Sequence, residues 1–573
     1  MKRTLLLCLL SALIPSCLYL FCLSPGVSWE DSGEFITTAA RLGIAHPPGH
    51  PLYIVLARLF CIHTSPLSTA RSVNLFSVLS AFFALFAFPA ILLSLFTSRS
   101  SRNTTCLPSL FFITIFFAFS RTFWSVAEIA EVYSLHTLLV LCLFASLLTT
   151  RKGGAGILLF SYTLGLSLTN NITVAYLIPA FACFLILERK HMKKRYLFPA
   201  LLLFILGISL YLYVPIRARF HPVFNWGDAS TLKNFIHLLT AQEFSKGFLN
   251  MSYTETGLPS TFINLLREIS FWGIIPFGYG IVLLWRKERN IAVLFAAAIL
   301  CNIVLSFFTG RGPDFYAYFL PSIAITFLII GYGIVQLISR MGSKSWAALP
   351  LLLLLSLSPL ILNYHSNCRR HDLDARNYGA ALLSWLPEGG ILLTENTNDY
   401  FILTYLNEIE KSTDAAIFYA PLFKETWYRE RLSSMGFHWQ DPLTPLSFAR
   451  ENHKVFYTPG AGISLPAANL TPYGPLFRIV TDEEPLEENL FVLPHPVHQQ
   501  GEKRYAYLFS RFGEFYFKRK HYPYAIAAFE QAREYDPRNP ALYHNLALLY
   551  RKTGNLKKAR QFEEAAKKHG FRE

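Results

Sequence analysis

What most constrains this chain is the run of apolar segments along its first two-thirds. A membrane crossing needs about 20 mostly apolar residues. Segments near that length lie at roughly 4–23, 73–96, 107–123, 132–149, 155–169, 172–187, 197–215, 270–285, 291–308, 318–339 and 346–363. About eleven spans are therefore expected, with 155–187 open to reading as one broken hairpin. Of the 573 residues, 53% are hydrophobic and 16% are charged, where a soluble protein carries about a quarter charged residues. The charge gathers in short loops and in the C-terminal third. The expected fold class is a polytopic α-helical membrane protein with a soluble tail. The formal net charge of +15 then reflects cationic loops on one side of a bilayer, and nucleic acid is excluded as a partner.

Lysine and arginine placement sets the orientation. With Lys2 and Arg3 in the cytoplasm, the alternate loops carry Arg99 and Arg102; Arg151 and Lys152; Arg189, Lys190 and Lys193 to Arg195; Arg286, Lys287 and Arg289; and Arg340 and Lys344. All of these loops are short and basic. The opposite side receives the long 24–72 and 216–269 loops, a short one at 309–317, and everything after residue 364. An odd number of spans places the C-terminal domain outside. The first segment can also be read as a cleaved signal peptide, although its apolar stretch is longer than a usual signal core. Cys8, Cys17, Cys22, Cys142, Cys183 and Cys301 fall in apolar segments and read as small hydrophobes, not as a disulfide framework or metal site. No cysteine follows Cys368, so the tail must hold together by its core.

The tail divides in two. Residues 366–503 alternate short apolar runs with turn signals, as in ILLT, KVFYTPGAG and LFRIV, which suits an α/β or α+β module. Residues 504–573 are self-similar at 34 residues, with Tyr516/Tyr550 and Ala525/Ala559 in register, the tetratricopeptide period. Glu563 stands where an aromatic is expected. Two repeats are few for an independent solenoid, so they would dock on the preceding module or on a protein partner. With residues 1–365 as the membrane domain, three domains are expected.

Several outer loops carry ionisable groups at a membrane surface, where desolvation is costly and function is the usual reason. Asp31 and Glu34, three apart, share a helical face and would raise one another's pKa, fitting one as a general base. Asp31 or Ser32 could instead cap a helix. His46 and His50 flank a Pro47-Pro48-Gly49 turn, and could bind phosphate or metal, or simply fix the loop. Glu128 and Glu131 repeat the spacing of three, with Tyr133 beside them, and suit acceptor, metal or arginine contacts. Arg217, Arg219, Asn225, Trp226 and Asp228 form a further group. Arg311 and Asp314 lie in the last short outer loop. An arginine fork matches a phosphate bidentately, and headgroup anchoring is the plainer alternative.

The stretches EDSGEF, LGIAHPPGHPLY, AEIAEVYSLH, LGLSLTNN, VPIRARFHPVFNWGD, GRGPDFYAYFLPS and 375–410 occur in this order along the chain. Together they resemble a family of polytopic membrane proteins, widespread in bacteria, that includes the animal O-mannosyltransferase of plexin-type receptors. The resemblance implies a C-type glycosyltransferase fold, a polyprenyl-phosphate sugar donor, and an acid in the first outer loop acting as base on the acceptor. Carried over, Asp31 is that base and Glu34 assists or positions it. Arg217 or Arg311 would hold the donor phosphate, with His46, His50, Asn225, Trp226, Asp228 and Asp314 as further donor contacts. Glu128, Glu131 and Tyr133 would serve the acceptor or the structure. This chain has Asn171 where the family often has histidine. It has Glu395 to Asp399 (ENTND) where the family's tail motif is a glycine-aspartate-asparagine-aspartate run.

The chemistry implied is single displacement with inversion, moving a hexose such as mannose to a protein hydroxyl or glycolipid. No nucleotide-binding loop is present, and a divalent cation is an open option. A lipid-linked substrate transporter or flippase, and a membrane-anchored assembly scaffold, are the rival readings. Deleting 505–573 is expected to spare transfer by an enzyme core and to abolish scaffolding. The simple N-terminus and the sparse tail cysteines favour a bacterial inner membrane with a periplasmic tail.

Overall fold

The computed structural model describes residues 2–96, 107–241, 258–309, 313–459, 465–480, 491 and 493–571. The chain forms two compact units, one of Met1–Pro25 with Thr38–Arg370, the other of Gly26–Thr37 with His371–Glu573.

Among the described residues the first unit is built of helices, with one isolated β-bridge between Ile44 and Asn225. All eleven apolar segments form helix, but among the described residues seven helices meet the length and apolarity of a membrane span. They are Arg3–Cys22, Thr69–Ser94, Tyr133–Thr150, Lys194–Ala218, Arg289–Phe308, Phe315–Met341 and Lys344–Asn367. The count of about eleven is thus matched only in part by this measure, which gives seven, or eight if Pro108–Ala118 and Arg121–Ala127, bent by 72°, count as one broken span. The remaining three segments are short. Ile274–Lys287, for example, has 14 residues, or about 21 Å of helix against a hydrocarbon core of about 30 Å.

Phe315–Met341 runs through the interior and is 83% buried, whereas Lys194–Ala218 and Lys344–Asn367 are each 22% buried. Their exposed faces carry Leu201, Ile205, Leu206, Leu351, Leu354, Ile361 and Leu362, as lipid-facing helices should. Phenylalanines fill the centre, with Phe88 stacked on Phe117 at 4.9 Å and Phe116 edge-on to Phe327 at 4.8 Å. Helices Gly156–Asn170 and Leu197–Ile208 cross where Gly165 and Gly207 meet, since a Cβ at Gly165 would lie 2.5 Å from the Phe204 carbonyl.

One cysteine assignment is overturned. Cys22, at the end of the first helix, forms a disulfide with Cys368, just past helix Leu349–Asn367. The pairing crosses 346 residues, and an apolar local context gives no hint of it.

The second unit contains a five-stranded mixed sheet in the order β2-β1-β3-β5-β4. Its strands are β1 (Ile391–Thr394), β2 (Ala416–Tyr419), β3 (Val455–Tyr457), β4 (Leu470–Tyr473) and β5 (Leu476–Ile479). β1 is parallel to both neighbours, and β5 is antiparallel to β3 and β4. The segments ILLT, KVFYTPGAG and LFRIV supply β1, β3 and β5. β2 and β4 lacked a comparable signal in the sequence.

Four helices follow, Gln499–Lys518, Tyr522–Tyr535, Pro540–Lys552 and Leu556–Lys568. The first covers the sheet, with Phe512 and Phe515 at 4.6 and 4.9 Å from Phe477 of β5. The repeats therefore dock on the module, as their small number required. At the irregular position Glu563 pairs with Arg551, and the adjacent Phe562 supplies the missing aromatic by stacking on Tyr550 at 5.4 Å.

Candidate functional site

The acid-bearing segment belongs to the second unit. Trp29 is buried against Tyr378, ring centres 5.4 Å apart. Glu30 is left-handed, with φ of 69°, a conformation that a residue with a long side chain keeps only when its surroundings enforce it. Asn398 Oδ1 accepts from the Glu30 amide at 2.5 Å, and Gln500 donates to the Glu30 carboxylate at 3.2 Å. The next residue, Asp31, is half-buried, and its carbonyl opens helix Ser32–Arg41 by accepting from the Phe35 amide at 2.9 Å. Ser32 accepts from the Ser28 amide, upstream of the helix.

Glu34 is fully buried, and its charge acts on the Tyr400 hydroxyl. Burial, and to a lesser degree Glu34, push that phenol up to about 12, while Arg431 opposes them. The two acids thus differ in burial: Glu34 is fully buried, and Asp31 is half-buried.

The ENTND run sits behind this loop. Asn396 caps helix Thr397–Glu408 by accepting from the Asp399 amide at 2.8 Å. Asp399 is fully buried and bonds Arg504 at 2.5 Å, and Arg504 also donates to Asn396 at 2.6 Å. Burial alone would lower the Arg504 pKa, but Asp399 and Tyr378 hold it above the ordinary value.

In the first unit the segment from His46 to His50 builds a turn. Gly49 has φ of 95° and its amide bonds the His46 carbonyl at 2.8 Å. His50 is left-handed and precedes helix Pro51–His63. The two imidazole rings lie 5.1 Å apart. His50 Nδ1 is 2.6 Å from the Asn170 carbonyl. Burial, then His46, lower its pKa to about 3 despite that carbonyl, with His136 adding to the effect. His50 is therefore neutral with Nδ1–H donating, so it fixes the loop more than it offers positive charge.

A short backbone pairing secures this loop. Ile44 donates to the Phe224 carbonyl at 2.7 Å and accepts from the Trp226 amide at 3.3 Å. Asn225 donates to Asp228 at 3.0 Å. Arg217 spends Nε and Nη2 on the carbonyls of Leu42 and Arg41, at 2.8 and 3.3 Å. These residues brace the loop that carries His46 and His50. Arg219 is exposed.

Glu128 and Glu131 are both buried but separate in role. Glu128 accepts from Trp124 Nε1, its carbonyl accepts from the Ser24 amide at 3.3 Å, and Arg369 lies nearby. Burial raises its pKa against the Trp124 bond and the Arg369 charge. It ties together the chain around the Cys22–Cys368 bridge. Glu131 instead acts on Tyr53, and its carbonyl accepts from Ser77 at 3.5 Å.

Tyr133 lies 6.2 Å from Tyr318, ring to ring. His136, on the same helix, is buried with neither ring nitrogen bonded among the described residues. It was missed in the sequence because a histidine in AEIAEVYSLH is hidden between two glutamates and an apolar span. Asn171 caps the short helix Ile172–Leu177 by accepting from the Thr173 amide.

Arg311 lies outside the described residues. The backbone of Asp314 falls in the 3-10 helix Pro313–Phe319. Among the described residues no group of three or more His, Cys, Asp or Glu is arranged to hold a metal ion.

Fold and site together define a multi-pass helical membrane protein with a C-terminal helical repeat. Residues 31–195 match the family described as Protein O-mannosyl-transferase TMEM260 N-terminal domain, and residues 513–554 match a TPR repeat. The chain is 27% identical over 446 residues to Protein O-mannosyl-transferase TMEM260 of Mus musculus, covering 70% of this chain and 61% of that protein. To Protein O-mannosyl-transferase tmem260 of Dictyostelium discoideum it is 24% identical over 494 residues, covering 75% and 59% respectively. The chain thus spans about three-fifths of the length of these relatives.

Proposed function

We propose that this protein is a membrane glycosyltransferase that moves a hexose, mannose by the names of its relatives, from a polyprenyl-phosphate donor to an extracytoplasmic acceptor. Its parts are a transferase domain over residues 1–365, an α/β module over 366–503 and repeats over 504–573, with residues 26–37 grouped with the C-terminal unit. The observation that carries the reading is the acid loop. Asp31 opens the segment that matches the O-mannosyltransferase domain. It follows a residue held in a left-handed conformation, and it stays accessible while Glu34 is buried.

In the reaction, the acceptor hydroxyl gives its proton to the Asp31 carboxylate as its oxygen bonds to the sugar's anomeric carbon. The bond from that carbon to the donor phosphate breaks, and the phosphate leaves with the electron pair. Attack opposite the leaving group inverts the anomeric centre, the requirement met in inverting glycosidases. Arginine at the departing phosphate would stabilise its developing charge. Arg311, and the part of Arg217 not committed to carbonyls, are assigned there. Glu131 and Tyr133 are assigned to the acceptor, and a protein or glycolipid fits equally.

The placement is a bacterial inner membrane with the N-terminus inside and the C-terminal unit in the periplasm. Disulfides persist in oxidising compartments, so the Cys22–Cys368 bridge supports having the ends of those two helices outside.

The test is transfer from radiolabelled polyprenyl-phosphate hexose in membranes holding wild type or Asp31→Asn at equal expression. Transfer by wild type and its loss in the variant are expected. Equal transfer by both removes Asp31 as the base.

A further inference from the structure

We propose that the ENTND turn and the first repeat helix form a positioning device for the loop acid, with Asn398 as its contact and the Asp399–Arg504 pair as its lock. The inference rests on Asp31 being the base. It assigns a role to a motif that departs from the family run and that the reaction itself does not use.

Three observations within the second unit carry it. Glu30, adjacent to Asp31, is left-handed and is gripped at two points. Asn398 accepts its amide, and Gln500 donates to its carboxylate. Both grips are tied to one guanidinium. Arg504, one helical turn beyond Gln500, bonds Asn396 and Asp399, the residues on either side of Thr397 and Asn398. Asn396 closes the turn on itself by donating to Asp399 at 2.7 Å. Finally, Gly33 packs directly on the backbone at Phe401, where a Cβ would lie 2.5 Å from the carbonyl oxygen.

Glu30, just before Asp31, and Gly33, two residues after it, are thus both held, by contacts from helix Thr397–Glu408 and helix Gln499–Lys518. A half-buried carboxylate on a loop has many orientations open to it. Fixing the peptide before it and the glycine after it leaves side-chain torsions as its main freedom, which is what a base aligned on one hydroxyl requires.

The consequence reaches the repeats. Because Gln500 and Arg504 lie on the first repeat helix and its Phe512 and Phe515 cover β5, removing 505–573 disturbs the acid loop. On this proposal such a deletion is expected to lower transfer, in contrast to the expectation that it spares an enzyme core.

The experiment compares full-length wild type, Asn398→Ala, Asn398→Asp and Asn407→Ala. Asn398→Asp keeps an oxygen acceptor for the Glu30 amide. Asn407 sits on the same helix and bonds the Ala415 carbonyl at 3.1 Å, so its loss measures damage to the module alone. Asn398→Ala is expected to lower kcat by about tenfold to a hundredfold with the donor KM unchanged. Asn398→Asp should recover most of that loss, and Asn407→Ala should stay near wild type. Equal kcat for Asn398→Ala and wild type, or an equal fall in Asn407→Ala, overturns the proposal.

A second readout does not need activity. Asp31→Cys is labelled with a small thiol reagent, with and without Asn398→Ala, and the modified peptide is quantified by mass. Faster labelling in the Asn398→Ala background supports positioning, and unchanged labelling overturns it. If wild type transfers no sugar from any polyprenyl-phosphate donor, the function fails while the labelling result still decides the role of Asn398.

Discussion

Replacing Gly33 by alanine sets two effects of opposite sign against each other. Gly33 lies in the first turn of helix Ser32–Arg41, where alanine is favoured over glycine by up to about 1 kcal/mol. On propensity alone the substitution stabilises. The new methyl, however, would lie 2.5 Å from the Phe401 carbonyl oxygen, 2.7 Å from its carbon and 3.0 Å from the Ile402 nitrogen. All three are backbone atoms of helix Thr397–Glu408 and cannot rotate away.

Ordinary contact begins at 3.4 Å, so the loop must retreat by about 0.9 Å. A displacement of about 1 Å at a reacting group costs about a hundredfold in rate. Gly33→Ala should therefore lower kcat by roughly that factor while the protein still folds. Gly278→Ala is the matched control, because nothing lies within 4 Å of the added Cβ. Transfer kinetics on purified protein in detergent, normalised to folded protein by size-exclusion chromatography, provide the measurement. A kcat for Gly33→Ala within about twofold of wild type, well short of the predicted loss, would refute the reasoning.

Other outcomes follow from the same contacts. Cys22 and Cys368 should resist maleimide in native membranes and react after reduction, read as a gel shift; labelling of both without reductant would refute the bridge and its assignment to an oxidising face. Glu128→Ala should cost about 1–3 kcal/mol by leaving the Trp124 N–H buried and unbonded, seen as a lower melting temperature with transfer per folded molecule unchanged. His50 has its pKa lowered to about 3 by burial and by His46, against about 6.5 in the unfolded chain. The unfolded state therefore binds the extra proton between these values, so this residue's contribution to stability is intact above pH 6.5 and is lost as pH falls towards 3. His50→Asn should flatten that part of the stability–pH curve, and an unchanged slope would show that His50 is not its source.

The sequence by itself determined what depends on short windows of chain. Lipid burial selects long apolar runs wherever they stand, so membrane class and the eleven helical segments were legible. The 34-residue register of Tyr516 with Tyr550 was enough for the repeats, because each repeat contacts mainly its neighbours. The pairs Asp31/Glu34 and Glu128/Glu131 were visible as spacings of three. Their division of labour was not, because helical spacing says which residues share a face and nothing about what covers that face.

Only the tertiary structure showed that the charge of Glu34 acts on Tyr400 and that Glu128 meets Trp124 and Arg369. It also showed where apolar segments are broken, because breaks such as the 72° bend after Ala118 do not alter hydropathy. The same holds for the bridge from Cys22 to Cys368 and for the grip of Asn398 on Glu30, across 368 residues. Partners so far apart meet only when the whole chain has folded back on itself, and nothing in the composition near either partner records that return.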